Sequence, residues 1–213
     1  DLSVGSIMSL CGCVLARLIT DNGFSTGAAV LATLGIAVCC GILNGLLITK
    51  LKIQPFVATL ATMLIFNGVT QAYTKNIGTY IKTEQFDQLR VLGRGTVGGI
   101  PIKIIAVVVL FVLAILLYRN TKFGIKVRAV GSNEMAARTS GINADNTLMM
   151  VYILTAVTAA LAAILYTATV QSASPDAGNG FELDAITAVV LGGSALSGGK
   201  GDLVGTFIGA LLV

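Results

Sequence analysis

Residues 146–175, NTLMMVYILTAVTAALAAILYTATVQSASP, decide the fold class of this chain. This stretch holds 30 consecutive residues without Asp, Glu, Lys or Arg. About 20 apolar residues in a helix already cross the hydrocarbon core of a bilayer. Two other runs are comparable, residues 22–49 with 28 uncharged residues and residues 53–74 with 22. The sequence therefore predicts several helices that span a membrane.

The composition of the whole chain supports this prediction. Of its 213 residues, 55% are hydrophobic and 11% are charged, and the mean hydropathy is +0.88. A soluble domain carries roughly a quarter charged residues, so a water-soluble enzyme is excluded. The chain contains no histidine, which also excludes zinc sites and catalytic triads built on that residue. A membrane enzyme has little support, because no acid–base pair can be proposed.

Two shorter uncharged runs, residues 2–16 and 185–199, are rich in glycine and serine. Each follows an acidic residue, Asp1 in one case and Asp184 in the other. One interpretation is a pair of broken or re-entrant helices, which line solute paths in transporters. The other is ordinary packing of helices through small residues. The residues alone leave both open.

These runs together predict an all-α fold, a polytopic integral membrane helical bundle with broken or re-entrant helices. Residues 104–118 complete the set if Lys103 and Arg119 extend their charged heads out of the membrane. The chain is expected to form one transmembrane domain over residues 1–213. Its approximate spans are 2–18, 27–48, 54–74, 103–118, 147–170, 184–197 and 203–213, with a connecting loop at 119–145.

Charges between the runs set the expected topology. The side that holds the 119–145 loop carries eight Lys and Arg residues, and the opposite side carries six. Basic residues accumulate on the cytoplasmic side of membrane proteins, so the 119–145 loop is expected to be cytoplasmic. The net charge of +4 is explained by these loops and does not indicate nucleic-acid binding.

Several short sequence patterns are better explained by a structural role than by a catalytic or ligand-binding role. The cysteines lie inside apolar runs, where a thiol behaves as a small hydrophobe, so neither a metal nor a redox site is expected. Gly41 with Gly45 and Gly205 with Gly209 allow close helix packing within the chain. Residues 93–98, GRGTVG, match the dinucleotide fingerprint in letters but lack its strand–helix context. Residues 194–201, SALSGGKG, miss two positions of the phosphate-binding loop.

The 119–145 loop is too long for a simple connection. Asn133 is expected to cap a short helix over residues 134–140, and Gly141 to end it in the left-handed conformation. This helix presents a knob of small residues beside Arg138. Such a knob either docks in a groove of a soluble partner and transmits a rigid-body movement, or lies on lipid headgroups.

The long spans contain no Asp, Glu, Lys, Arg or His. Carriers driven by protons or sodium usually keep such groups within their spans, so a secondary carrier has little support. Either solute flows passively through a channel, or a partner supplies the energy.

Residues 134–141, EMAARTSG, resemble the E-x-A-A-x-x-x-G coupling motif of ABC importer permeases. Other stretches are similar to permeases of ribose-type sugar importers. They are residues 1–6 (DLSVGS), 50–60 (KLKIQPFVATL), 129–134 (AVGSNE), 180–186 (GFELDAI), 190–193 (VLGG) and 197–201 (SGGKG). They cover nearly the whole chain in the family's order. The family's first and last helices are missing, so the chain is expected to be truncated at both ends. Gln54 stands where relatives often have a proline.

This resemblance implies a permease subunit without catalytic activity. It would move a monosaccharide, ribose or another pentose, across the bacterial plasma (inner) membrane by alternating access. The implied partners are an ABC ATPase subunit, an extracytoplasmic sugar-binding protein, a second permease copy and membrane lipid. ATP would be bound by the ATPase, so no cofactor is expected on this chain. A passive small-solute channel stays open, as do autoinducer-2, nucleoside or amino-acid cargoes.

The resemblance also implies two sets of site residues. The residues expected to couple to the ATPase are Asn133, Glu134, Ala136, Ala137, Arg138 and Gly141. Those expected to line the translocation path are Asp1, Ser3, Ser6, Pro55, Phe56, Thr59, Asn67 and Asp184. A polar residue such as Asn67 within a span forms an interhelical hydrogen bond as often as it lines a pore.

Overall fold

A computed structural model describes the backbone of residues 1–213 and the side chains of residues 1–82 and 89–213. The described backbone is mostly helical and contains only very short strands. The helices are α1 Val4–Thr20, α2 Thr26–Thr49, α3 Pro55–Thr74, α4 Thr83–Arg94, α5 Ile102–Asn120, α6 Lys122–Ser132, α7 Glu134–Thr139, α8 Ala144–Val170, α9 Phe181–Leu191 and α10 Leu203–Leu212. The strands are β1 Thr79–Tyr80, β2 Thr96–Val97, β3 Ile100–Pro101 and β4 Ser172–Ala173.

Among the residues that the structure describes, four helices are long and apolar enough to cross a membrane. They are α2, α3, α5 and α8, and their uncharged character follows from the long runs in the sequence. Helices α1 and α10 are apolar but shorter. The prediction of an all-α membrane bundle is confirmed.

Helix α1 forms the centre of the bundle. It packs against α2, α3, α8 and α9, and nearly all of its residues are buried. Its small residues Gly5, Ser9 and Gly12 follow one another at spacings of four and three and so share one face of the helix. Small side chains let neighbouring helices approach closely in a membrane, where the driving force is packing and not exclusion of water.

The predicted glycine pairs pack within the chain. A Cβ atom at Gly41 would lie 2.6 Å from the Cα atom of Ile153, and one at Gly45 would lie 3.2 Å from the Cα atom of Met149. These contacts join α2 to α8. Gly205 and Gly209 make equally close contacts with α9 and so join it to α10. The prediction that both pairs serve packing within the chain is confirmed.

The helix connections fall at two ends of the bundle. At the end called the α7 face lie the α2–α3 turn, the α5–α8 connection with α6 and α7, and the α9–α10 turn. Lys52 forms an ion pair with Asp145 there, 3.2 Å long, and Gly131 contacts Gly199. At the other end, called the α4 face, β1 pairs antiparallel with β4, and β2 with β3.

Three connections differ from the sequence-based expectation. The 119–145 loop is largely helical, because α6 fills its first part. The connection between α3 and α5 contains α4 and a hairpin, and the GRGTVG pattern joins the end of α4 to that hairpin. The predicted span 184–197 is helical only to Leu191, and α9 begins three residues earlier, at Phe181. Gly192 and Gly193 end this helix, the latter at φ +84°.

Candidate functional site

The short helix α7 is built by its two end residues. The Asn133 side chain accepts a hydrogen bond of 2.9 Å from the Ala136 amide, which satisfies a free N–H group of the first turn. Gly141 has φ +81°, a conformation that favours glycine. The predicted cap and terminator are confirmed. The helix ends at Thr139, one residue earlier than expected, and Ser140 is its C-cap.

One side of α7 is buried against neighbouring residues, and the other side is exposed. Ala137 is 4% exposed and packs with Val130 and Ala144 in a small apolar cluster. Met135, by contrast, is 72% exposed. Ala136, Thr139 and the other residues of α7 are exposed as well. The helix therefore packs against the bundle through Ala137, and its Met135 side chain is exposed at the α7 face.

A network of charges surrounds α7. Arg138 donates to Glu134 Oε1 through Nε at 3.0 Å and through Nη2 at 2.7 Å. Its Nη2 atom also donates to Asp145 Oδ1, and the same oxygen accepts a hydrogen bond of 3.2 Å from Lys52 Nζ. Hydrogen bonds to Asp145 and then to Glu134 raise the pKa of Arg138 above its usual value. Sequence reasoning selected Glu134 and Arg138 but missed Asp145 and Lys52.

The α9–α10 turn rests against the residues that precede α7. A Cβ atom at Gly199 would lie 3.0 Å from the Cα atom of Ser132, and one at Gly198 would lie 2.5 Å from the carbonyl oxygen of Gly131. Both glycines of the turn have positive φ, +86° at Gly198 and +77° at Gly199. The SALSGGKG segment therefore serves as a close-packing turn in the described structure.

Residues 171–180 return into the bundle after α8 ends. The Gly178 amide donates to Ser9 Oγ at 2.8 Å, and the backbones of Gly178 and Gly5 pack with no space for a Cβ atom. Ser9 lies 11 residues before the end of α1 at Thr20, about 16 Å along the helix. That distance is roughly half of the ~30 Å hydrocarbon core. Helix α9 therefore starts beside the middle of α1 and not at an end of the bundle, which favours the interpretation as a re-entrant helix.

The start of α9 carries two acidic residues, and the structure separates their environments. Glu182 is partly buried, accepts a 3.3 Å hydrogen bond from the Gly180 amide and reaches Gly5. Asp184 is exposed in the first turn of α9. An exposed charge at membrane depth faces water or another protein, because contact with lipid tails is costly.

Three predicted path residues lie together at the start of α1, and two of them are buried. Asp1 Oδ1 accepts from the Ser3 amide at 2.8 Å and from Ser3 Oγ at 2.7 Å. Ser3 Oγ also accepts a 2.8 Å hydrogen bond from the Asn44 amide group. Ser6 donates to the Ser3 carbonyl. Ser3 is 0% exposed and Ser6 is 3% exposed, so both serve hydrogen bonding inside the described bundle.

The other predicted path residues lie on α3. Pro55 is its first residue, where a missing N–H group costs nothing. Phe56 is 61% exposed, whereas Thr59 is buried and donates to the Pro55 carbonyl at 2.9 Å. The Oδ1 atom of Asn67 is buried and has no hydrogen-bond partner among the described residues. On α3, therefore, the Phe56 side chain is exposed, whereas Thr59 is buried in the bundle.

Arg17 holds the far end of α3. Its Nη1 atom donates to the Tyr73 carbonyl at 2.6 Å and its Nη2 atom to the Thr74 carbonyl at 3.0 Å. Its guanidinium also lies over the Tyr73 ring, 5.2 Å from the centroid. These carbonyls belong to the last turn of α3, where helix acceptors lack partners. Arg17 therefore ties the α4-face end of α3 to α1.

The described side chains include no cluster that could bind a metal ion. No group of three or more His, Cys, Asp or Glu side chains among them could hold a metal ion. The four cysteines form no disulfide bond, and Cys11, Cys13 and Cys40 are buried.

Comparison with known proteins gives a match along the entire chain. The model of the family described as branched-chain amino acid transport system / permease component matches residues 1–213. No solved structure matches the chain significantly.

Several curated proteins are similar over the full chain. The ribose import permease protein RbsC of Bacillus subtilis is 43% identical over 218 residues, covering 100% of this chain and 66% of its own length. The Escherichia coli K12 protein of the same name is 41% identical, with the same coverage. The galactofuranose transporter permease protein YtfT of E. coli K12 is 39% identical over 214 residues, with 62% of its length covered. The chain thus spans just under two thirds of these relatives.

Proposed function

The chain belongs to the family of branched-chain amino acid transport system permease components, and from this premise we propose that it is the membrane-spanning permease subunit of an ATP-driven importer. It carries out no bond chemistry. It moves its cargo by alternating between outward-facing and inward-facing states, and an ABC ATPase subunit binds and hydrolyses the ATP.

The exposed side of α7 is the observation that carries this proposal. Ala137 anchors the helix on the bundle, and Met135 projects from it at 72% exposure. A short rigid helix with one apolar side chain at its tip fits a groove on a soluble domain. The α7 face also carries the larger share of basic residues, eight of 14, which supports a cytoplasmic location for it, the side on which an ATPase would dock.

A monosaccharide is the proposed cargo. Relatives named for the import of ribose, galactofuranose and fructose are 34–43% identical to this chain. An extracytoplasmic sugar-binding protein would deliver the cargo at the α4 face.

The proposed path runs past the start of α9. Asp184 is exposed there at membrane depth, so this side of α9 faces water or a second permease copy. Phe56, exposed at the start of α3, is a further candidate. Ser3 and Ser6 are assigned to packing because their hydrogen bonds are satisfied inside the chain.

The first experiment tests docking at α7. The full-length permease is solubilised gently from its native membrane with its ATPase, and the amount of co-purified ATPase is measured for Met135→Asp. Loss of a central apolar anchor costs about 2 kcal/mol or more at interfaces, so an association at least about 30-fold weaker is expected. Val97→Asp is the control, because Val97 is also exposed but lies in the hairpin at the α4 face.

A second experiment tests Gly141. Gly141→Val places a β-branched residue at φ +81°, although no atom lies within 4 Å of the new Cβ. The end of α7 must therefore change conformation, and ATP-driven uptake into vesicles is expected to fail while membrane insertion is retained. Gly23→Val is the matched control, with φ +66° and equally open space at the α4 face. Unimpaired uptake in Gly141→Val would contradict the proposal.

A passive channel is the competing function. It predicts uptake of the sugar into vesicles that contain the permease alone, without nucleotide or ATPase. ATP-dependent uptake that requires both proteins would exclude it.

A further inference from the structure

The charge network beside α7 extends beyond that helix to the start of α3. Asp145 Oδ1 accepts hydrogen bonds from Arg138 of α7 and from Lys52 of the α2–α3 turn. Lys52 and Asp145 are 93 residues apart in the sequence. One carboxylate oxygen therefore joins the proposed docking helix to a distant turn of the bundle.

Stability does not explain this arrangement. The Lys52 side chain is 63% exposed and the Asp145 side chain 25% exposed. Exposed ion pairs contribute little to folding, because water and salt screen them. Their geometric effect is different, since a shared acceptor fixes the relative position of two cations on separate segments.

The α2–α3 turn is suited to pass a displacement to α3. Lys52 has φ +56°, a conformation that non-glycine residues rarely adopt, and Pro55 begins α3 only three residues later. The Ile53 amide donates to the Leu47 carbonyl at 3.1 Å, which leaves few free torsions between Lys52 and the helix. A shift of the Lys52 side chain therefore acts on the first turn of α3, next to Phe56.

The opposite end of α3 is fixed. Arg17 binds the carbonyl oxygens of Tyr73 and Thr74 at 2.6 and 3.0 Å. A helix held at one end and displaced at the other tilts as a rigid body. Movement of α7 would in this way change the α7-face end of α3 most and its α4-face end least.

We propose that Asp145 is a positioning residue that couples movement of α7, through Lys52, to tilting of α3. The inference rests on the proposed function, because it assigns to one ionic link the transmission of the ATPase movement into the membrane. Arg138 of α7 binds Asp145, and Asp145 in turn binds Lys52, which lies in the turn before α3. Coupling depends on the Lys52–Asp145 pair, while docking of the ATPase depends on the exposed side of α7.

The test uses the complete importer, full-length permease with its ATPase and binding protein, in vesicles. Sugar uptake and ATP hydrolysis are measured together, and the ratio of the two reports coupling. For Lys52→Gln and for Asp145→Asn, hydrolysis and co-purification of the ATPase are expected to stay near the parent level. Uptake per ATP is expected to fall by about 3- to 30-fold, the range typical of residues that transmit coupling between sites.

Conservative and double variants distinguish a specific loss of coupling from a general loss of folded protein. Lys52→Arg and Asp145→Glu keep both charges and should retain most of the coupling. In the double variant Lys52→Gln/Asp145→Asn, the loss should equal that of Asp145→Asn alone, because Lys52 has then already lost its partner. Lys50→Gln is the control, since Lys50 lies in the same turn and forms no ion pair among the described residues.

Each outcome has a defined meaning. If the parent importer shows no ATP-dependent uptake, the proposed function fails. If the parent transports but Lys52→Gln keeps the parent ratio of uptake to hydrolysis, the inference about Asp145 is wrong while the proposed function stands. If Lys52→Gln instead loses the ATPase on purification, the pair shapes the docking surface and the transmission role is overturned. Lys52→Gln alone decides the question should Asp145→Asn fail to fold.

Discussion

Helices α1 and α5 have similar lengths and opposite surroundings. Val4–Thr20 has 17 residues, nearly all buried, whereas Ile102–Asn120 has 19 residues, none of them buried in the described chain. The buried helix mixes seven Gly, Ser, Cys and Ala residues with eight larger apolar ones, whereas the exposed helix consists mostly of Ile, Val, Leu and Phe and has only two alanines as small residues. The small residues of α1 let neighbouring backbones approach closely, which drives packing in a membrane, whereas α5 presents a surface of large apolar side chains suited to lipid.

The strongest test of this comparison enlarges a glycine of α1. In Gly5→Leu, the new side chain would overlap the carbonyl oxygen of Gly178 and the Glu182 carboxylate. The re-entrant segment cannot then reach α1, so loss of the folded, monodisperse protein in detergent is expected, a cost above the 1–3 kcal/mol of ordinary overpacking. Size-exclusion chromatography of the full-length protein gives the measurement. Gly35→Leu is the control, because no atom lies within 4 Å of its Cβ position.

A second test removes the same side chain from each helix. Leu15 of α1 is completely buried, and Leu113 of α5 is 56% exposed. Leu15→Ala should destabilise by about 2–5 kcal/mol through the lost contacts and the cavity. Leu113→Ala should change stability by less than about 0.5 kcal/mol, because lipid replaces the lost contacts. Thermal unfolding in detergent compares the two, and equal shifts would contradict the assignment of α5 to lipid.

Among the buried sites, the smallest effect is expected for the polar cluster of α1. Asn44→Leu removes the 2.8 Å hydrogen bond from its amide group to Ser3 Oγ. Hydrogen bonds between membrane helices contribute about 0.6 kcal/mol on average, and the Oδ1 atom of Asn44 has no partner among the described residues. The loss should therefore stay below about 1 kcal/mol in thermal unfolding. A loss as large as that of Leu15→Ala would show that polar contacts hold α1 as firmly as packing does.

The sequence was informative wherever a single local pattern determines the structure. Uncharged runs located α2, α3, α5 and α8, because crossing a bilayer requires length and little else. The cap at Asn133 and the left-handed Gly141 determined α7, because both act within one turn. Helices α4 and α6 were missed, since neither is an uncharged run and both were assigned to connections.

The features that could not be predicted from the sequence depend on contacts between residues far apart in the chain. Lys52 and Asp145 meet only because α2 packs on α8, so no local pattern marks them as partners. The serines at the start of α1 were assigned to the path, yet Ser3 and Ser6 are buried. A small polar residue has the same pattern whether it lines water or packs between helices, and only its neighbours distinguish the two.

The re-entry of residues 171–180 also determines the order in which the protein is assembled. Helix α9 has 11 residues, too few for the insertion machinery to release it into lipid as a span. The segment before it consists of turns and the short strand β4, and hydrocarbon does not accept such irregular backbone unless protein surrounds it. Its partner Ser9 is supplied by α1, which is synthesised about 170 residues earlier. Residues 171–191 therefore enter the membrane by folding onto helices that are already inserted, so a defect in α1 should expose α9 to quality-control proteases during biogenesis.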